Sequence, residues 1–303
     1  MARLLIYDAY ENKVYTYANL NENDPMPYST LTTLRLREFR GKSSSPTLWT
    51  TIAAMEAWNL TRRKYGRGIP VGYAFRRIWE GGHGTRSQHY AGVAFDVGQS
   101  LEQRQRTAIY NAARATGAWG YVEPLSQTPT WVHFDRRYGT PACSGTTAGY
   151  PTLRRGSRGC YVMVLQDALS TLGYQTGSRI DGIFGARTEQ ALRGYQKRTS
   201  LRVDGVCGCD SWKKISTAVI GIGRTKTTID SRLSHTQKAA AQNHVRSLFF
   251  TYFTACFSCS RSAASGWESA LSKFSIRASR LGMCKGFAFM ASYRCRTDTG
   301  ILP

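Results

Sequence analysis

The sequence predicts an α+β domain with a small antiparallel sheet, followed by a small three-helix all-α domain and a C-terminal tail of unassigned fold. The N-terminal half of the chain mixes strand-like and helical segments, whereas the segment after it has helical periodicity with a duplicated turn. The C-terminal segment has no convincing periodicity outside the amphipathic stretch Gln237 to Phe250. A chain of 303 residues exceeds the usual size of a single core, which favours more than one domain.

The predicted boundaries follow changes in composition. Residues 1–137 form the first domain, 138–152 the linker, 153–216 the helical domain and 217–303 a basic tail rich in Cys and Ser. The linker is rich in Gly, Thr, Ser and Pro and poor in apolar residues, which is typical of a connection between domains. The tail has very few acidic residues, and its sequence fits a further binding element, a poorly ordered extension or a shifted reading frame.

The first domain contains both strand and helix patterns. Its first residues alternate between apolar and polar on both sides of Glu11-Asn12-Lys13, which predicts a short hairpin at the edge of the domain. Residues Leu48 to Tyr65 follow Ser45 and Pro46 and have a mixed helical period, which predicts a helix. Three strand-like segments and a second helix come next: IPVGYAF, AGVAFDVG, the helix LEQRQRTAIYNAARATG, and TWVHFD.

The net charge indicates an anionic partner. Lys and Arg number 41 against 19 Asp and Glu, which gives a net charge of +22. A field of this sign attracts polyanions such as nucleic acids or the anionic polymers of a bacterial wall, and a solvated basic surface without a specific partner is the alternative. The sequence contains no recognised nucleic-acid motif, so nucleic acid is not expected as a partner. No apolar run is long enough to span a bilayer, so membrane insertion is not expected.

The N-terminus and the cysteines set the expected compartment and covalent structure. The opening MARLLIYDAYENKVYTY lacks the apolar core of a signal peptide, so we expect synthesis in the cytoplasm. Eight Cys are present but none lies between Met1 and Ala142, so no disulfide framework is expected in the first domain. The cysteines after Ala142, including Cys207 and Cys209, are spaced too irregularly for a zinc site. We therefore expect free thiols.

Polar residues in two strand-like segments form a candidate metal site. Side chains alternate along a strand, so Asp96 and His133 lie on the faces opposite their apolar neighbours. If the two strands pair, Asp96 and His133 converge, and His89 from the preceding loop can complete a three-ligand site. Two imidazoles and one carboxylate suit Zn²⁺ and leave a fourth position for water, as in catalytic sites. His83, in the Gly-rich loop EGGHGTRSQH, is expected to be a solvated residue without a role.

The same residues resemble a known family. SQHYAGVAFD matches the S-x-H-x-x-G-x-A-x-D signature of the zinc D-Ala-D-Ala carboxypeptidase family and related phage endolysins, and WVHFD resembles its second histidine motif. The resemblance covers roughly Leu34 to Asp135. It implies that His89, Asp96 and His133 are zinc ligands, and that the reaction is zinc-assisted hydrolysis of a peptide bond, with a carboxylate that moves the proton.

Arg76 is the candidate for binding a substrate carboxylate. The family carries an Arg in an S-G-Y-R motif before the metal motif, and YAFR, Tyr73 to Arg76, is in the equivalent place. The Ser and Gly of that motif are absent here, which leaves a surface Arg beside Arg77 as the alternative. A guanidinium suits the task because it donates two parallel hydrogen bonds to a carboxylate.

The general base departs from the family pattern. Many members have Glu or Asp three residues before the final His ligand, and Thr130 occupies that position here. Glu123 is the preferred replacement, because the loop that follows it is long enough to fold its carboxylate back towards the metal. Asp135 is the second choice, and a solvated Glu123 is the alternative to both.

The helical domain resembles a second family. Leu153 to Ile215 is similar to the peptidoglycan-binding type 1 domain, a three-helix module, and the turns DGIFG at Asp181 and DGVCG at Asp204 fall on its pattern. The glycines of these turns are expected to adopt positive φ. The resemblance implies that the partner is bacterial peptidoglycan and that the protein acts at the cell wall.

Together these features predict zinc-dependent hydrolysis of peptide bonds in peptidoglycan stem peptides, by a carboxypeptidase or endopeptidase of endolysin or autolysin type. Tethering to the wall raises the local concentration of substrate. Release would follow lysis or non-classical export. The alternative is a catalytically inactive cell-wall-binding protein, which the missing acid at Thr130 makes a second hypothesis.

Overall fold

Two small β-sheets and six α-helices build the portion of the chain that the computed structural model describes, which is residues 1–29, 33–177, 179–220 and 222. These residues belong to one compact unit. The predicted mixture of α and β structure is therefore confirmed for this portion. None of its helices is long and apolar enough to cross a membrane. Most of the predicted tail, including Gln237 to Phe250, lies outside the described residues.

The N-terminal hairpin is confirmed, but its predicted edge position is wrong. Strands β1 (Ala2–Asp8) and β2 (Lys13–Leu20) pair antiparallel, and β3 (Thr47–Thr51) pairs parallel with β1. Because β1 is the middle strand, Leu4 and Ile6 are fully buried. The sequence of β1 contains a continuous apolar run, which is typical of a strand covered on both faces.

The helix predicted for Leu48 to Tyr65 is a strand followed by a helix. After the short α1 (Leu36–Arg40), the chain forms β3 and then α2 (Ile52–Tyr65). The Thr and Trp residues of β3 suit a pleated, buried surface. Thr51 then caps α2 by accepting a hydrogen bond from the Ala54 N–H at 3.0 Å. The start of this prediction was wrong because the preference of these residues for a strand outweighs their helical spacing.

The second sheet is small and antiparallel, as predicted. The three predicted strands and the helix after the second of them are confirmed. A further strand of two residues, Tyr121–Val122, was not predicted, because it is too short to show alternation. The elements are β4 (Val71–Tyr73), β5 (Ala94–Val97), α3 (Gln103–Ala115), β6 (Tyr121–Val122) and β7 (Val132–Asp135). The strand order is β4-β5-β7-β6.

Three helices follow, as predicted for the helical region. They are α4 (Cys160–Thr171), α5 (Ala186–Arg198) and a helix over 209–220. Their inward residues form a continuous apolar core in which Leu165 and Leu192 are fully buried. Burial of such side chains is the main force that keeps short helices folded.

Two glutamines hold the duplicated turns between these helices. Gln166 accepts hydrogen bonds from the N–H groups of Asp181 and Gly182 at 3.1 and 3.0 Å, and it donates to the Asp181 carboxylate at 2.7 Å. Gln196 has the same role in the second turn, where it accepts from the Gly205 N–H at 3.0 Å. The φ angles of Gly182 and Gly205 are +72° and +69°, as expected. The predicted repeat is therefore present in the structure.

The helical region packs directly on the residues before it. Arg77 forms an ion pair with the buried Asp167 on α4, with 2.6 Å between Arg77 Nε and Asp167 Oδ2. The Tyr161 hydroxyl, also on α4, donates to Gln88 Oε1 at 2.9 Å. Gln88 precedes the first histidine of the candidate metal site, so α4 supports that site from behind. The division into two domains joined by a linker stays a prediction.

A disulfide corrects the expectation of free thiols for one pair of cysteines. Cys143 in the predicted linker is bonded to Cys209, and 66 positions separate them in the sequence. Spacing alone could not reveal this pairing, because the fold brings the two residues together. Cys160 and Cys207 are free and buried, and burial raises the pKa of both thiols. Neither therefore offers a reactive thiolate.

Candidate metal centre

The loop that carries the first histidine is fixed against β3. Trp49 Nε1 donates to the Tyr90 carbonyl at 2.9 Å, and Thr50 Oγ1 donates to the Gly92 carbonyl at 2.7 Å. Gly92 has φ of +68°, and a Cβ there would lie 1.9 Å from the Trp49 carbonyl oxygen. A glycine is therefore required at this position of the motif. The result is a rigid loop that presents His89 beside the second sheet.

Four side chains form a row across one face of the second sheet. Tyr73 on β4 pairs with Asp96 on β5, and Asp96 pairs with His133 on β7. The Glu123 N–H donates to the His133 carbonyl at 2.9 Å, which extends the row past β6. Directly paired residues of neighbouring strands point to the same face. The sheet therefore brings Asp96, His133 and Glu123 together.

The predicted ligands converge on the Asp96 carboxylate. His133 Nδ1 lies 2.6 Å from Asp96 Oδ1, and His89 Nε2 lies 3.2 Å from Asp96 Oδ2. His89 is 2% exposed, and its Nδ1 lies 2.8 Å from the Ala74 carbonyl oxygen. Since a carbonyl can only accept, His89 Nδ1 carries the proton and Nε2 presents a lone pair. This is the orientation expected of a metal-binding imidazole.

The electrostatics of this group are tightly coupled. Burial raises the pKa of Asp96, but the hydrogen bond with His133 and the contact with His89 outweigh it and hold that pKa below its usual range. Burial lowers the pKa of His133, but Asp135 and Asp96 outweigh it and raise that pKa to about 9. The site therefore favours positive charge between its carboxylates.

Asp135 holds the outer side of His133. Its carboxylate is fully buried and accepts hydrogen bonds from Arg137 Nε at 2.7 Å and Arg137 Nη2 at 2.5 Å. Asp135 Oδ2 also lies 3.3 Å from His133 Nε2. Burial raises the pKa of Asp135, but Arg137 and His133 lower it further than burial raises it. A carboxylate engaged in this way orients the imidazole and is poorly suited to accept a proton.

A cavity of about 580 Å³ lies in front of these residues. Glu123 lines this cavity with the three predicted ligands, and its side chain is half-buried. Residues 147 and 148 of the predicted linker form part of the wall. The linker therefore helps to shape the space next to the metal centre.

Arg76 is not among the residues that line the cavity. Its Nη1 donates to the Lys42 carbonyl at 3.0 Å, and its guanidinium lies 5.3 Å from the centre of the Tyr73 ring. The Tyr73 ring in turn contacts the His89 ring edge to face, at 5.8 Å between centres. Arg76 is thus one residue removed from the metal centre, and its predicted role stays a prediction.

His83 contradicts the expectation of a solvated loop residue. Its ring lies 4.2 Å from the His89 ring and 4.5 Å from the Tyr73 ring, measured between centres. The ligand atoms of His83, His89 and Asp96 all lie within 4.8 Å of one another, a group that could hold a metal ion. Burial and then His89 lower the pKa of His83 to about 4. No sequence signal indicates this position, because His83 lies outside the recognised motif.

Two further residues of the site were missed in the sequence. Tyr73 and Arg137 both contact predicted site residues. Alternation groups Tyr73 with Val71, and Tyr73 pairs with Asp96 only after a register shift in β4, so alternation gave no signal for Tyr73. Arg137 lies two positions after Asp135, within reach of a local ion pair.

The donor atoms fit a metal ion. His89 Nε2 is buried and has no hydrogen-bond partner among the described residues, although a carboxylate lies beside it. Unpaired buried polar atoms are uncommon, and a bound ion or water is one usual explanation for them. Two imidazole nitrogens and a carboxylate are a donor set that Zn²⁺ and similar ions accept.

The comparisons with known proteins concern the helical region. Residues 158–215 match the family described as "Putative peptidoglycan binding domain". This segment is a peptidoglycan-binding domain, and the resemblance of Leu153 to Ile215 is confirmed. A spore cortex-lytic enzyme of Bacillus cereus is 43% identical over 56 residues, which is 18% of this chain and 21% of that protein. An N-acetylmuramoyl-L-alanine amidase of Mycobacterium tuberculosis is 41% identical over 54 residues, 18% of this chain and 13% of that protein.

A solved structure is also similar to part of this chain. The crystal structure of the SleB N-terminal domain is 34% identical, over 22% of this chain and 92% of that chain, with a TM-score of 0.22. The chain spans about a fifth of the length of the cortex-lytic enzyme that it matches. The relatives named as cell-wall lytic enzymes are thus similar to this chain over its binding domain.

Proposed function

We propose that this chain is a zinc-dependent peptidase that cleaves peptide bonds in the stem peptides of bacterial peptidoglycan, as a carboxypeptidase or an endopeptidase. The convergence of His89 Nε2, the Asp96 carboxylate and His133 Nδ1 beside a cavity carries the proposal. A peptidoglycan-binding domain in the same compact unit supports peptidoglycan as the substrate. The protein would therefore act at the cell wall, where its net charge of +22 also favours anionic wall polymers.

Three side chains would hold the ion: His89, Asp96 and His133. When bound, zinc lowers the pKa of a water molecule and polarises the carbonyl of the scissile bond. Asp135 and Arg137 fix the ring of His133 from its far side, so the imidazole needs no reorientation.

Glu123 is the proton acceptor in this proposal. It lines the cavity, and its place in the row next to His133 directs it to the same face as the predicted ligands. Its carboxylate takes the proton from the attacking water and then gives that proton to the leaving amine. Asp135, the second choice, is held by Arg137 and is the weaker candidate.

In a carboxypeptidase, Arg76 would bind the free carboxylate of the substrate. Its guanidinium lies against Tyr73, which is itself in the polar row of the sheet. A paired hydrogen bond from Arg76 would then fix the end of the peptide beside the cavity.

The second candidate is a wall-binding protein without catalytic activity. It is favoured by Thr130, which is exposed and has no carboxylate at the position where many family members carry the acid. In this case the binding domain would account for the whole function.

Digestion of purified peptidoglycan separates the two candidates. The protein is incubated with the wall polymer with and without a chelator, and released fragments are analysed by mass spectrometry. Release of peptides that stops with the chelator supports the peptidase and identifies the bond. If the wall stays intact while the protein co-sediments with it, the binding protein is correct and the peptidase is not.

A further inference from the structure

We propose that His83 is a fourth protein ligand of the same metal ion, so that three imidazoles and one carboxylate hold it. This inference rests on the metal centre of the proposed function. It assigns a role to a residue that the S-x-H-x-x-G-x-A-x-D motif does not contain.

The first observation is a second unpaired nitrogen. His83 Nε2 is buried and, like His89 Nε2, makes no hydrogen bond to any described residue. The centres of the two rings are 4.2 Å apart, so both nitrogens lie in one small region. Leaving a buried polar atom unpaired costs about 1–3 kcal/mol, and here the cost would arise twice. One metal ion bound to both nitrogens would remove both costs.

The second observation is that the backbone of His83 is fixed. The His83 N–H donates to the Tyr90 hydroxyl at 3.2 Å, and that hydroxyl donates to the His83 carbonyl at 3.0 Å. Tyr90 is itself fully buried and adjoins His89 in the sequence. A solvated loop residue needs no such anchoring. These hydrogen bonds fix the position of His83 relative to His89, as expected for two ligands of one ion.

The third observation is the fit of distance and donor type. The ligand atoms of His83, His89 and Asp96 lie within 4.8 Å of one another. His133 is outside that group of three, but its Nδ1 lies 2.6 Å from Asp96 Oδ1, so it contacts the same carboxylate. Imidazole and carboxylate are both suitable donors for zinc. Catalytic zinc can expand to five ligands, so four protein ligands leave one position for water or substrate.

Cobalt substitution tests this inference without any measurement of activity. Co²⁺ is bound to the full chain, and its affinity and visible absorption are compared for the wild type, His83→Ala and Thr85→Ala. Thr85 is exposed and lines the same cavity two positions away, so it is a matched control. We expect His83→Ala to bind Co²⁺ about 100-fold more weakly and with an altered spectrum, since even partners outside the ligand set cost about 10–100-fold. Thr85→Ala should match the wild type.

A second pair of variants keeps the test decisive if His83→Ala does not fold. With Co²⁺ bound, His83→Cys should show the near-ultraviolet charge-transfer band of a thiolate–cobalt bond, and Thr85→Cys should show no band beyond that of the wild type. Wild-type affinity and an unchanged spectrum in His83→Ala, or no band in His83→Cys, would overturn the role of His83 alone. A wild type that binds no Co²⁺ would overturn the metal centre as well.

Discussion

Buried polar groups serve different purposes in the helical region and in the candidate metal centre. In the helical region, Gln166 and Gln196 are each 1% exposed, and their side chains have partners for both the amide nitrogen and the oxygen. In the candidate metal centre, His83 Nε2 and His89 Nε2 are also buried but make no hydrogen bond to the described residues. The glutamines are satisfied within the fold, whereas the two histidine nitrogens have no hydrogen-bond partner among the described residues.

This difference shows how to separate structural from functional polar residues. A buried group that satisfies backbone atoms, as Gln166 does for two N–H groups, contributes to folding. A buried nitrogen without a hydrogen bond that also lies close to further ligand atoms, as His89 Nε2 does, is a candidate for binding an ion. The same test would apply to other chains that carry a candidate metal motif.

The largest expected effect is at His133. His133→Ala removes one of the predicted ligands and leaves Asp96 without its hydrogen bond at 2.6 Å, so both bound zinc and peptide release should fall to background. Elemental analysis and the digestion assay measure the two quantities. Thr130→Ala, at an exposed position just before β7, is the control and should retain both. If His133→Ala still binds zinc and releases peptides, the proposed ligand set is wrong.

Glu123→Gln comes next. The amide cannot accept the proton, so kcat should fall about 10²–10⁴-fold, the range typical of general acid–base residues. Bound zinc should stay at the wild-type level, because Glu123 is not in the proposed ligand set. Steady-state kinetics on a fragment released from peptidoglycan provide the readout. An unchanged kcat would show that another residue acts as the base.

Gln166→Leu tests the structural role of the buried glutamines in the helical region. It leaves the N–H groups of Asp181 and Gly182 unpaired, which should lower the free energy of unfolding by about 2–4 kcal/mol without changing bound zinc. Denaturant unfolding of the metal-free protein gives the value. Gln175→Leu, at an exposed position, should change stability little. If the two variants were equally stable, Gln166 would not have the structural role assigned to it.

Asp135→Asn should have the smallest effect. The amide still occupies the space but no longer fixes the His133 ring with a charge, so affinity for zinc should fall about 10–100-fold. Competition with a chelator of known affinity measures the change. A loss of bound zinc as complete as that expected in His133→Ala would mean that Asp135 binds the ion directly.

The row of polar residues could be predicted from the sequence because strand alternation is a local property. Asp96 and His133 could be placed on one face from the residues beside them, and the structure pairs them directly. The duplicated turns were visible for the same reason, since DGIFG and DGVCG are short and similar. In both cases the information lies within a few positions of the chain.

The missed features depend on contacts between distant segments. Tyr90 anchors the loop that places His83 against His89, and the predicted linker returns to the start of the helix over 209–220, where Cys143 bonds to Cys209. The prediction of a helix over β3 relied on spacing alone, whereas the residues of β3 prefer a strand and pair with β1, which is distant in sequence. Periodicity within one segment carries no information about such contacts.

Native mass spectrometry of zinc-loaded protein tests the central claim most directly. The wild type, His89→Ala and Gln166→Leu are exchanged into the same buffer, and the bound ions per chain are counted. The account predicts one ion for the wild type and for folded Gln166→Leu, and none for His89→Ala. Equal numbers of ions in all three proteins would contradict it.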